Sequence, residues 1–444
     1  MNIKFSKYNY YLPIKDELII YNFLYRNMVV ADPSETDEIL RSLNNGTVNL
    51  LSSDLKVLLK EKMFIIPSHF DEVEFFRFNY FKSLYDTTVF RCTVLPTLGC
   101  NLTCPYCYEM KRDIYMSDET IDNFIKWLIP HLKTCKEFSL EWFGGEPLTR
   151  IDIIEKITNK ILELQQQIGF KYSANITTNG VLLTPSIVHK MDELNINAVQ
   201  VTFDGSKTYH DKYRKHPNGK GSFETIINNI DYYCTHTKSM NALHVRINVT
   251  DENYDSIPEL LKALPISVKK RSVLFFRWIY ENSASEFIDF SSLHRGKNPF
   301  NNLAPLYKAA QEQGFFTNNL DEQVNFNYCE CDFVNKFRID PEGNLYLCTQ
   351  SYLPEEAIGN VAQGGLTEQG LNYYCKIANI NPFSDNQCLE CLLLPHCKGG
   401  CRKAALVNKR LCTPIKGSVD KYILMLYNKY NSQAYGGSYN ENLV

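Results

Sequence analysis

The stretch Cys100-Asn101-Leu102-Thr103-Cys104-Pro105-Tyr106-Cys107 places three cysteines on one short segment, directly after the apolar run Val89–Leu95. Three thiolates on one loop can ligate three irons of a cubane iron–sulfur cluster, which leaves the fourth iron without a protein ligand. An open position on a redox metal is where a substrate or cofactor binds. A structural zinc site is the alternative, but a lone triplet with no nearby histidine or fourth cysteine does not supply closed tetrahedral coordination. We therefore predict an iron–sulfur cluster with one open iron here.

The chain around this segment alternates short apolar runs with amphipathic stretches. The predicted strands are Val89–Leu95, Phe138–Phe143, Ala174–Thr177, Ala198–Phe203 and His244–Val249. The predicted helices between them are Ser117–Leu132, Asp152–Ile168, Thr184–Leu194 and Ser222–Tyr233. This alternation indicates an α/β fold of parallel βα units, and a complete or partial β/α barrel is the simplest such fold. Active groups of these barrels lie on the loops that follow the strands.

Two smaller parts flank the barrel, so we predict a small α+β domain at 1–88, the barrel at 89–310 and a cysteine-rich domain at 311–444. In the first part we expect a hairpin of Tyr10–Ile14 and Leu18–Tyr21, a helix from Glu35 capped by Ser34, and a second helix after Ser53. An acidic, aromatic stretch, Asp71–Tyr85, leads out of it. The third part has little apolar periodicity, so metal–thiolate bonds are the expected source of its cohesion.

Composition and charge exclude several classes of protein. The chain has 444 residues, of which 44% are apolar and 22% charged, and this balance excludes intrinsic disorder. The formal net charge is −3, so the chain has no basic excess to release the counterions of nucleic acid, and no nucleic-acid partner is expected. No run reaches the roughly 20 apolar residues of a membrane span, so no membrane partner is expected.

The fifteen cysteines are the most informative part of the composition. Disulfides need an oxidising compartment, but Asp16, Glu17 and Asn22 interrupt any apolar core of a secretion signal at the N-terminus. We therefore expect a cytoplasmic protein whose clustered, reduced thiols are metal ligands. The four cysteines outside the clusters are expected to be buried apolar side chains: Cys92, Cys135, Cys234 and Cys375.

The spacing Cys-x3-Cys-x2-Cys, with Tyr106 before the last cysteine, resembles the signature of radical S-adenosylmethionine (SAM) enzymes. In that family the three cysteines bind a [4Fe–4S] cluster whose open iron chelates the amino and carboxylate groups of SAM. Electron transfer then cleaves SAM to methionine and a 5′-deoxyadenosyl radical. The resemblance implies that Cys100, Cys104 and Cys107 bind this cluster in a partial (β/α) TIM-type barrel of the radical SAM kind. It also implies a partner that supplies electrons, such as flavodoxin or ferredoxin.

Further motifs after later predicted strands strengthen this resemblance. Gly144-Gly145-Glu146-Pro147 resembles the GGEP motif of the family, which binds the methionine amino end of SAM, and its glycines permit close backbone approach. The resemblance assigns the remaining cofactor contacts to Tyr106, Thr178, Asn179, Thr202, Asp204 and Arg214. Thr202 replaces a serine of similar enzymes and keeps the hydroxyl, and Arg214 is expected to pair with the cofactor carboxylate. A surface ion pair is the alternative role for Asp204 and Arg214.

The cysteines between Cys329 and Cys412 resemble the pattern of SPASM domains, which carry two auxiliary [4Fe–4S] clusters. The resemblance assigns one cluster to Cys329, Cys331, Cys348 and Cys401. It assigns the other to Cys388, Cys391, Cys397 and Cys412. The spacing of Cys329 and Cys331 is unusually tight, so either both bind or one cluster keeps an open site. Zinc knuckles are the alternative for the Cys388/Cys391 and Cys397/Cys401 pairs.

Enzymes that resemble this architecture are mainly peptide maturases and sulfatase-maturating enzymes. The sulfatase maturases tend to carry an acidic base directly after the cysteine of a Gly-x4-Cys segment, whereas Thr349 follows Cys348 here. Residues 1–88 resemble small modules that bind a leader peptide by adding it as a strand to a sheet edge. A structural cap over the barrel is the alternative for this part.

We therefore predict an oxidoreductase that generates a 5′-deoxyadenosyl radical, abstracts hydrogen from a ribosomally made precursor peptide and oxidatively forms a thioether or C–C crosslink. Two auxiliary clusters beside the barrel are expected to accept an electron from the substrate radical. Formylglycine formation in sulfatases is the alternative reaction, and a non-catalytic zinc-binding scaffold is the alternative of another class. No catalytic base beyond the cluster ligands is predicted.

Overall fold

The computed structural model describes residues 2–109, 111–238, 242–279, 299–317, 329–351, 353–406, 412–413 and 415–434. The chain divides into two compact units. The first unit combines Met1–Tyr85, Asn319–Phe333 and Ala378–Val444, and the second combines Asp86–Asn318 and Val334–Ile377. The N-terminal segment therefore belongs to the same unit as the cysteines that follow residue 378, whereas Cys348 belongs to the second unit. The three-part division at residues 88 and 310 stays a prediction.

The first unit begins with short strands followed by helices. In chain order these are β1 (Ile3–Phe5), β2 (Asn9–Ile14), β3 (Glu17–Asn22), β4 (Met28–Ala31), α1 (Pro33–Asn44), α2 (Ser53–Glu61), β5 (Ile65–Pro67) and α3 (Glu72–Leu84). Strands β2, β3 and β4 form an antiparallel sheet, and β1 pairs with β5. The predicted hairpin is confirmed as β2–β3, in which Tyr10 lies opposite Tyr21.

Side-chain caps set the start of the first two helices. The Asp32 carboxylate accepts hydrogen bonds from the backbone N–H groups of Ser34 (2.8 Å) and Glu35 (2.9 Å), and Glu35 accepts one from the Asp32 N–H (3.0 Å). The prediction that Ser34 caps α1 is therefore wrong, because this capping box places Pro33 in the first helical turn, where its missing N–H costs nothing. The Ser52 hydroxyl caps α2 by accepting a single hydrogen bond, from the Leu55 N–H (3.4 Å).

The second unit alternates strands and helices. Its strands are β6 (Val89–Val94), β7 (Glu137–Trp142), β8 (Lys171–Thr178), β9 (Ile196–Phe203), β10 (Leu243–Val249), β11 (Ser272–Trp278), β12 (Phe316–Thr317), β13 (Lys336–Ile339), β14 (Asn344–Tyr346), β15 (Gly359–Asn360) and β16 (Gly365–Leu366). Its helices are α4 (Asp118–Leu132), α5 (Ile151–Ile168), α6 (Pro185–Lys190), α7 (Lys207–Tyr213), α8 (Phe223–His236), α9 (Ile257–Ala263), α10 (Ile266–Arg271), α11 (Pro299–Glu312) and α12 (Glu368–Ala378). The predicted strands and helices are confirmed as β6 to β10 and as α4, α5, α6 and α8, although α6 is shorter than predicted.

One parallel sheet organises this unit. Strands β6 to β12 lie side by side in chain order, and β13 pairs in parallel with the free side of β6. Strands β14, β15 and β16 extend the sheet in antiparallel fashion. This is the predicted partial (β/α) barrel, in which the loops after parallel strands lie together at one edge.

The strands of the barrel also line a polar cavity of about 320 Å³, to which Thr93, Glu141, Thr177, Gln200 and His244 contribute. Branched apolar side chains usually fill the interior of a β/α barrel. A polar lining is therefore more suited to a polar ligand or to water than to tight apolar packing.

The C-terminal part of the first unit contains α13 (Asn386–Leu389), α14 (Leu394–Cys397), α15 (Arg402–Leu406) and α16 (Val419–Ala434). Phe23 stacks on Tyr422 of α16, with 6.2 Å between the ring centroids, and His396 lies edge-on to both rings. Arg26 Nη1 lies 3.1 Å from His396 Nδ1. Residues from the two ends of the sequence therefore share one aromatic core. None of the described helices is both long enough and apolar enough to cross a membrane.

The cysteines outside the predicted clusters differ in their surroundings. Cys92 and Cys234 are buried, as predicted, and Cys135 is half-buried. The prediction is wrong for Cys375, which is exposed. It lies on the amphipathic helix α12, where one face remains in solvent.

Candidate functional site

The loop that carries the first three cysteines lies between β6 and α4, at the edge where the parallel strands end. Neighbouring segments hold it in place. The Thr103 N–H donates to the Lys215 carbonyl (2.8 Å), and the Lys111 ammonium donates to the Leu102 carbonyl (2.8 Å). The two residues that precede Cys104 are therefore both anchored.

The side chains of Cys100, Cys104 and Cys107 are all half-buried on this loop. Burial raises the pKa of Cys100, and it raises that of Cys107 to about 11 despite the opposing charge of Lys111. The free thiols of these two residues are therefore protonated at neutral pH. Thiolate ligation of a metal at this loop would release their protons.

Two nitrogen donors lie near the Cys100 sulfur. The Leu102 N–H is 3.5 Å from Sγ, and the Asn179 side-chain amide is 3.8 Å from it and also donates to Asn101 Oδ1 (2.6 Å). Such donors stabilise a thiolate over a thiol and orient it. The cysteine loop therefore fits an iron–sulfur cluster. Asn179 lies beside the loop, and its role as a cofactor contact stays a prediction.

The glycines at 144 and 145 pack against the backbone that precedes Cys100. The Gly145 N–H donates to the Thr97 carbonyl (3.0 Å), and the next N–H, that of Glu146, donates to the Gly99 carbonyl (2.8 Å). A Cβ at Gly145 would lie 2.1 Å from the Gly99 oxygen, and one at Gly144, where φ is +120°, would lie 2.3 Å from the Thr97 oxygen. These glycines therefore allow their own segment to pack closely against the start of the cysteine loop.

Glu146 is fully buried and joins two loops of the site. Its carboxylate accepts hydrogen bonds from the Thr178 hydroxyl (2.7 Å), the Asn179 N–H (2.7 Å) and the Leu148 N–H (3.1 Å). Burial raises the pKa of Glu146, and these donors oppose that shift. Pro147 begins the short 3-10 turn that follows. Glu146 therefore ties the end of β8 to the loop after β7.

The half-buried Tyr106 forms one cluster with the buried residues Asp204 and Arg214. The Tyr106 hydroxyl donates to Asp204 Oδ2, and Arg214 Nη1 donates to the Tyr106 hydroxyl (3.0 Å). Burial raises the pKa of Asp204, while Arg214 opposes the shift. Because Asp204 and Arg214 are 1% and 8% exposed, the alternative of a surface ion pair is wrong. Thr202 lies on β9, opposite Arg246 of β10.

The residue Asn248 completes this cluster and was not predicted. Its side-chain amide donates to Asp204 Oδ1 (3.1 Å), and its carbonyl oxygen Oδ1 accepts from Arg246 Nε (2.9 Å). Asn253 adds a bond to the Asp204 carbonyl (3.0 Å). The only feature of the sequence that pointed to Asn248 was its position near the C-terminal end of the predicted strand His244–Val249.

A buried ion pair joins the cysteine loop to β13 and was also not predicted. Arg338 Nη2 binds both oxygens of Glu109, at 2.8 and 2.7 Å, and both side chains are 3% exposed. Arg338 Nη1 donates to the Thr349 carbonyl (3.0 Å) and to the Ser351 carbonyl. The segment after Cys107 and the segment after Cys348 are therefore held by one guanidinium.

Replacing Glu109 by glutamine is expected to lower the free energy of unfolding by about 3 kcal/mol, because the Arg338 charge would remain buried without a counter-charge. Urea unfolding of the iron-free protein measures this. Glu119→Gln, on the exposed face of α4, is the control and should change stability by less than about 0.5 kcal/mol. Equal stability of the two variants would contradict the prediction.

Four thiols of the first unit line one cavity, beside Leu393, Leu394 and Lys416. They are Cys388, Cys391, Cys397 and Cys412. Burial raises the pKa of Cys388 and Cys397, and the neighbouring thiols contribute to both shifts. The Lys416 ammonium lies 3.6 Å from Cys412 Sγ. This is the set predicted for one auxiliary cluster, and the charge of Lys416 is suited to a thiolate.

The other predicted set is divided between the two units. Cys329, Cys331 and Cys401 belong to the first unit and Cys348 to the second, so this set stays a prediction. Among the described residues, no three His, Cys, Asp or Glu side chains are grouped as tightly as a single metal ion requires.

Replacing Cys397 by alanine is expected to remove about four irons per chain, one [4Fe–4S] cluster, from the anaerobically reconstituted protein. The thiol lies in the cavity that the four cysteines share. Iron and sulfide analysis gives the result, and Cys375→Ala, at an exposed position, is the control. Unchanged iron content in the Cys397 variant would exclude the residue as a ligand.

Comparison with known proteins agrees with this geometry. Residues 94–264, which include the cysteine loop, the GGEP segment and the Asp204–Arg214 cluster, match the family model of the Radical SAM superfamily. This chain is a radical SAM enzyme. Its cysteine-rich C-terminal region is of the SPASM type.

Two relatives and one solved structure show what this radical SAM enzyme is similar to. A cysteine-type anaerobic sulfatase-maturating enzyme of Clostridium novyi is 26% identical over 335 residues, which cover 69% of this chain and 85% of the relative. The radical SAM cyclopropyl synthase TigE of Paramaledivibacter caminithermalis is 24% identical, over 74% of this chain and 71% of its own. The structure of Streptococcus suis SuiB shares the fold, with a TM-score of 0.51 and 16% identity over 93% of this chain and 97% of SuiB.

Proposed function

We propose that this radical SAM enzyme is a peptide maturase that oxidatively forms a crosslink, a thioether or a C–C bond, in a ribosomally made precursor. The observation on which the location of this chemistry rests is the anchored cysteine loop, which is packed against Gly144 and Gly145 and bordered by the Tyr106–Asp204–Arg214 cluster. When bound there, the [4Fe–4S] cluster and SAM together supply a 5′-deoxyadenosyl radical that abstracts hydrogen from carbon.

The residues around the loop have separate tasks in this proposal. Cys100, Cys104 and Cys107 hold the cluster, while Asn179 orients the Cys100 sulfur. Arg214 is the residue best suited to a carboxylate, because a guanidinium binds one in a bidentate fashion. The same buried charge holds Tyr106 in place.

The antiparallel sheet β2–β3–β4 is the proposed binding site for a leader peptide. Among the described residues, β4 pairs only with β3, and its Val30 is 39% exposed. An edge strand of this kind can bind an extended peptide through backbone hydrogen bonds. SuiB, which shares the fold, has been solved bound to its precursor peptide SuiA.

Two auxiliary clusters complete the proposal, one held by Cys388, Cys391, Cys397 and Cys412. They would accept the electron that must leave a substrate radical when a crosslink closes. An external reductant such as flavodoxin or ferredoxin would supply electrons to the cluster that binds SAM.

Formylglycine formation in a sulfatase is the second candidate, and the similarity to the Clostridium novyi enzyme favours it. The residue after Cys348 argues against it. Thr349 is not a base at neutral pH, and its carbonyl accepts a hydrogen bond from Arg338.

The test is anaerobic incubation of the reconstituted enzyme with SAM, dithionite and the short peptides encoded beside its gene. Loss of two hydrogens from a peptide, mapped by tandem mass spectrometry to a new link, supports the proposal. Formation of an aldehyde that reacts with a hydrazide, on a sulfatase peptide instead, would favour the second candidate.

A further inference from the structure

We propose that the buried ion pair of Arg402 and Asp332 is the positioning element that holds Cys329, Cys331 and Cys401 ready to ligate one auxiliary cluster. The inference rests on the auxiliary clusters of the proposed function. All five residues belong to the first compact unit. The cysteines themselves are half-buried or buried.

The ion pair is fully enclosed. Arg402 and Asp332 side chains are 1% and 2% exposed, and Arg402 Nε lies 2.7 Å from Asp332 Oδ1. Arg402 Nη2 lies 3.2 Å from Asp332 Oδ2 and 2.9 Å from the Tyr80 hydroxyl, which in turn donates to Oδ1 (3.2 Å). Both charges therefore have a fixed geometry, supported by α3.

The Asp332 side of the pair fixes the turn that carries Cys329 and Cys331. The Cys329 N–H donates to Asp332 Oδ2 (3.1 Å), and the Asp332 N–H donates to the Cys329 carbonyl (2.9 Å). These two bonds close a 3-10 turn around Cys331. The orientation of this cysteine pair therefore depends on the carboxylate that Arg402 holds.

The Arg402 side fixes the segment that precedes Cys401. Its guanidinium donates to the carbonyls of Lys398 (2.8 Å) and Gly400 (3.0 Å). Lys398, Gly399 and Gly400 all have positive φ, of 52°, 85° and 73°. The left-handed conformation is unfavourable for the lysine. It directs the carbonyls of Lys398 and Gly400 toward the Arg402 guanidinium.

A buried ion pair is weak as a source of stability, because desolvation offsets most of the attraction. Its value lies in geometry, since a planar guanidinium fixes several acceptors at once. Here the acceptors belong to the two separate segments that carry the cysteines. The pair thus joins Cys329 and Cys331 to Cys401 without using their sulfur atoms.

The test uses the full-length protein, reconstituted anaerobically with ferrous iron and sulfide. The variants are Asp332→Asn, Arg402→Lys and the neutral pair Asp332→Asn/Arg402→Met, with Arg77→Met on the half-exposed part of α3 as the control. Iron per chain, the EPR signals of the reduced clusters and the melting of the iron-free protein are measured. Cys401→Ala shows which EPR signal belongs to this cluster.

We expect each of the three variants to lose the EPR signal that Cys401→Ala loses and about a third of the iron, one cluster of three. The iron-free neutral pair should still melt cooperatively, because removing both charges together leaves no unpaired buried charge, but at a lower temperature than the wild type, because the carbonyls of Lys398 and Gly400 lose their donor. Full iron and an unchanged signal in the neutral pair or in Arg402→Lys would overturn the proposal. If Cys401→Ala itself loses no iron, the auxiliary-cluster assignment fails instead.

Discussion

Replacing Cys104 by alanine is expected to reduce the formation of 5′-deoxyadenosine from SAM by more than about 100-fold, since loss of even an outer partner of a metal ligand costs about 10–100-fold. The loop around Cys104 is anchored through Thr103 and Lys111, which opposes a rearrangement that would bring another ligand to the vacant position. About four irons per chain should also be lost. Chromatography of the nucleoside and iron analysis give the two measurements.

Two comparisons make this result specific. Cys375→Ala removes an exposed thiol and should keep the wild-type rate and iron content. Cys397→Ala should lose iron but still cleave SAM, because it alters a cavity of the other unit. Substantial SAM cleavage by a Cys104→Ala protein that lacks these irons would remove the basis of the proposed function.

Replacing Glu146 by alanine is expected to lower the free energy of unfolding by about 3–5 kcal/mol, because three buried donors lose their acceptor. The donors are the Thr178 hydroxyl and the N–H groups of Asn179 and Leu148. Asn179 would also lose its fixed place beside the Cys100 sulfur. We therefore expect SAM cleavage to fall together with stability, measured by urea unfolding and by 5′-deoxyadenosine formation.

Glu146→Gln separates charge from hydrogen bonding. It keeps one oxygen for Thr178 and Leu148 but turns its NH2 group, which is only a donor, toward the Asn179 N–H, so an intermediate loss of stability is expected. Glu163→Ala, at an exposed position of α5, should change stability by less than about 0.5 kcal/mol. A Glu146→Ala protein as stable as this control would show that the carboxylate does not hold the two loops together.

The barrel could be predicted from the sequence because each element shows its pattern locally. In β7, for example, the buried residues Phe138, Leu140 and Trp142 alternate with polar ones. Helix α3 was not recognised because aromatic residues lie on several of its faces, so that Phe76 is 1% exposed and Phe78 67% exposed. The stacking of Phe23 on Tyr422 has no local signal at all.

The candidate site shows the same division. The cysteines were recognisable because their spacing expresses the metal chemistry directly. The structural roles of Glu146 and of the Glu109–Arg338 pair could not be recognised in the sequence, because their partners come close only in the folded chain. The motif around Glu146 predicted a cofactor contact, whereas its carboxylate is engaged by Thr178 and Asn179.

The shared aromatic core has a consequence for biosynthesis. During translation, Phe23 leaves the ribosome long before Tyr422, the residue on which it stacks. At about 5–20 residues per second, the nascent N-terminal segment waits tens of seconds for its packing partner. We expect chaperones to shield it during that interval, and cofactor insertion into the late cysteines to be a post-translational event.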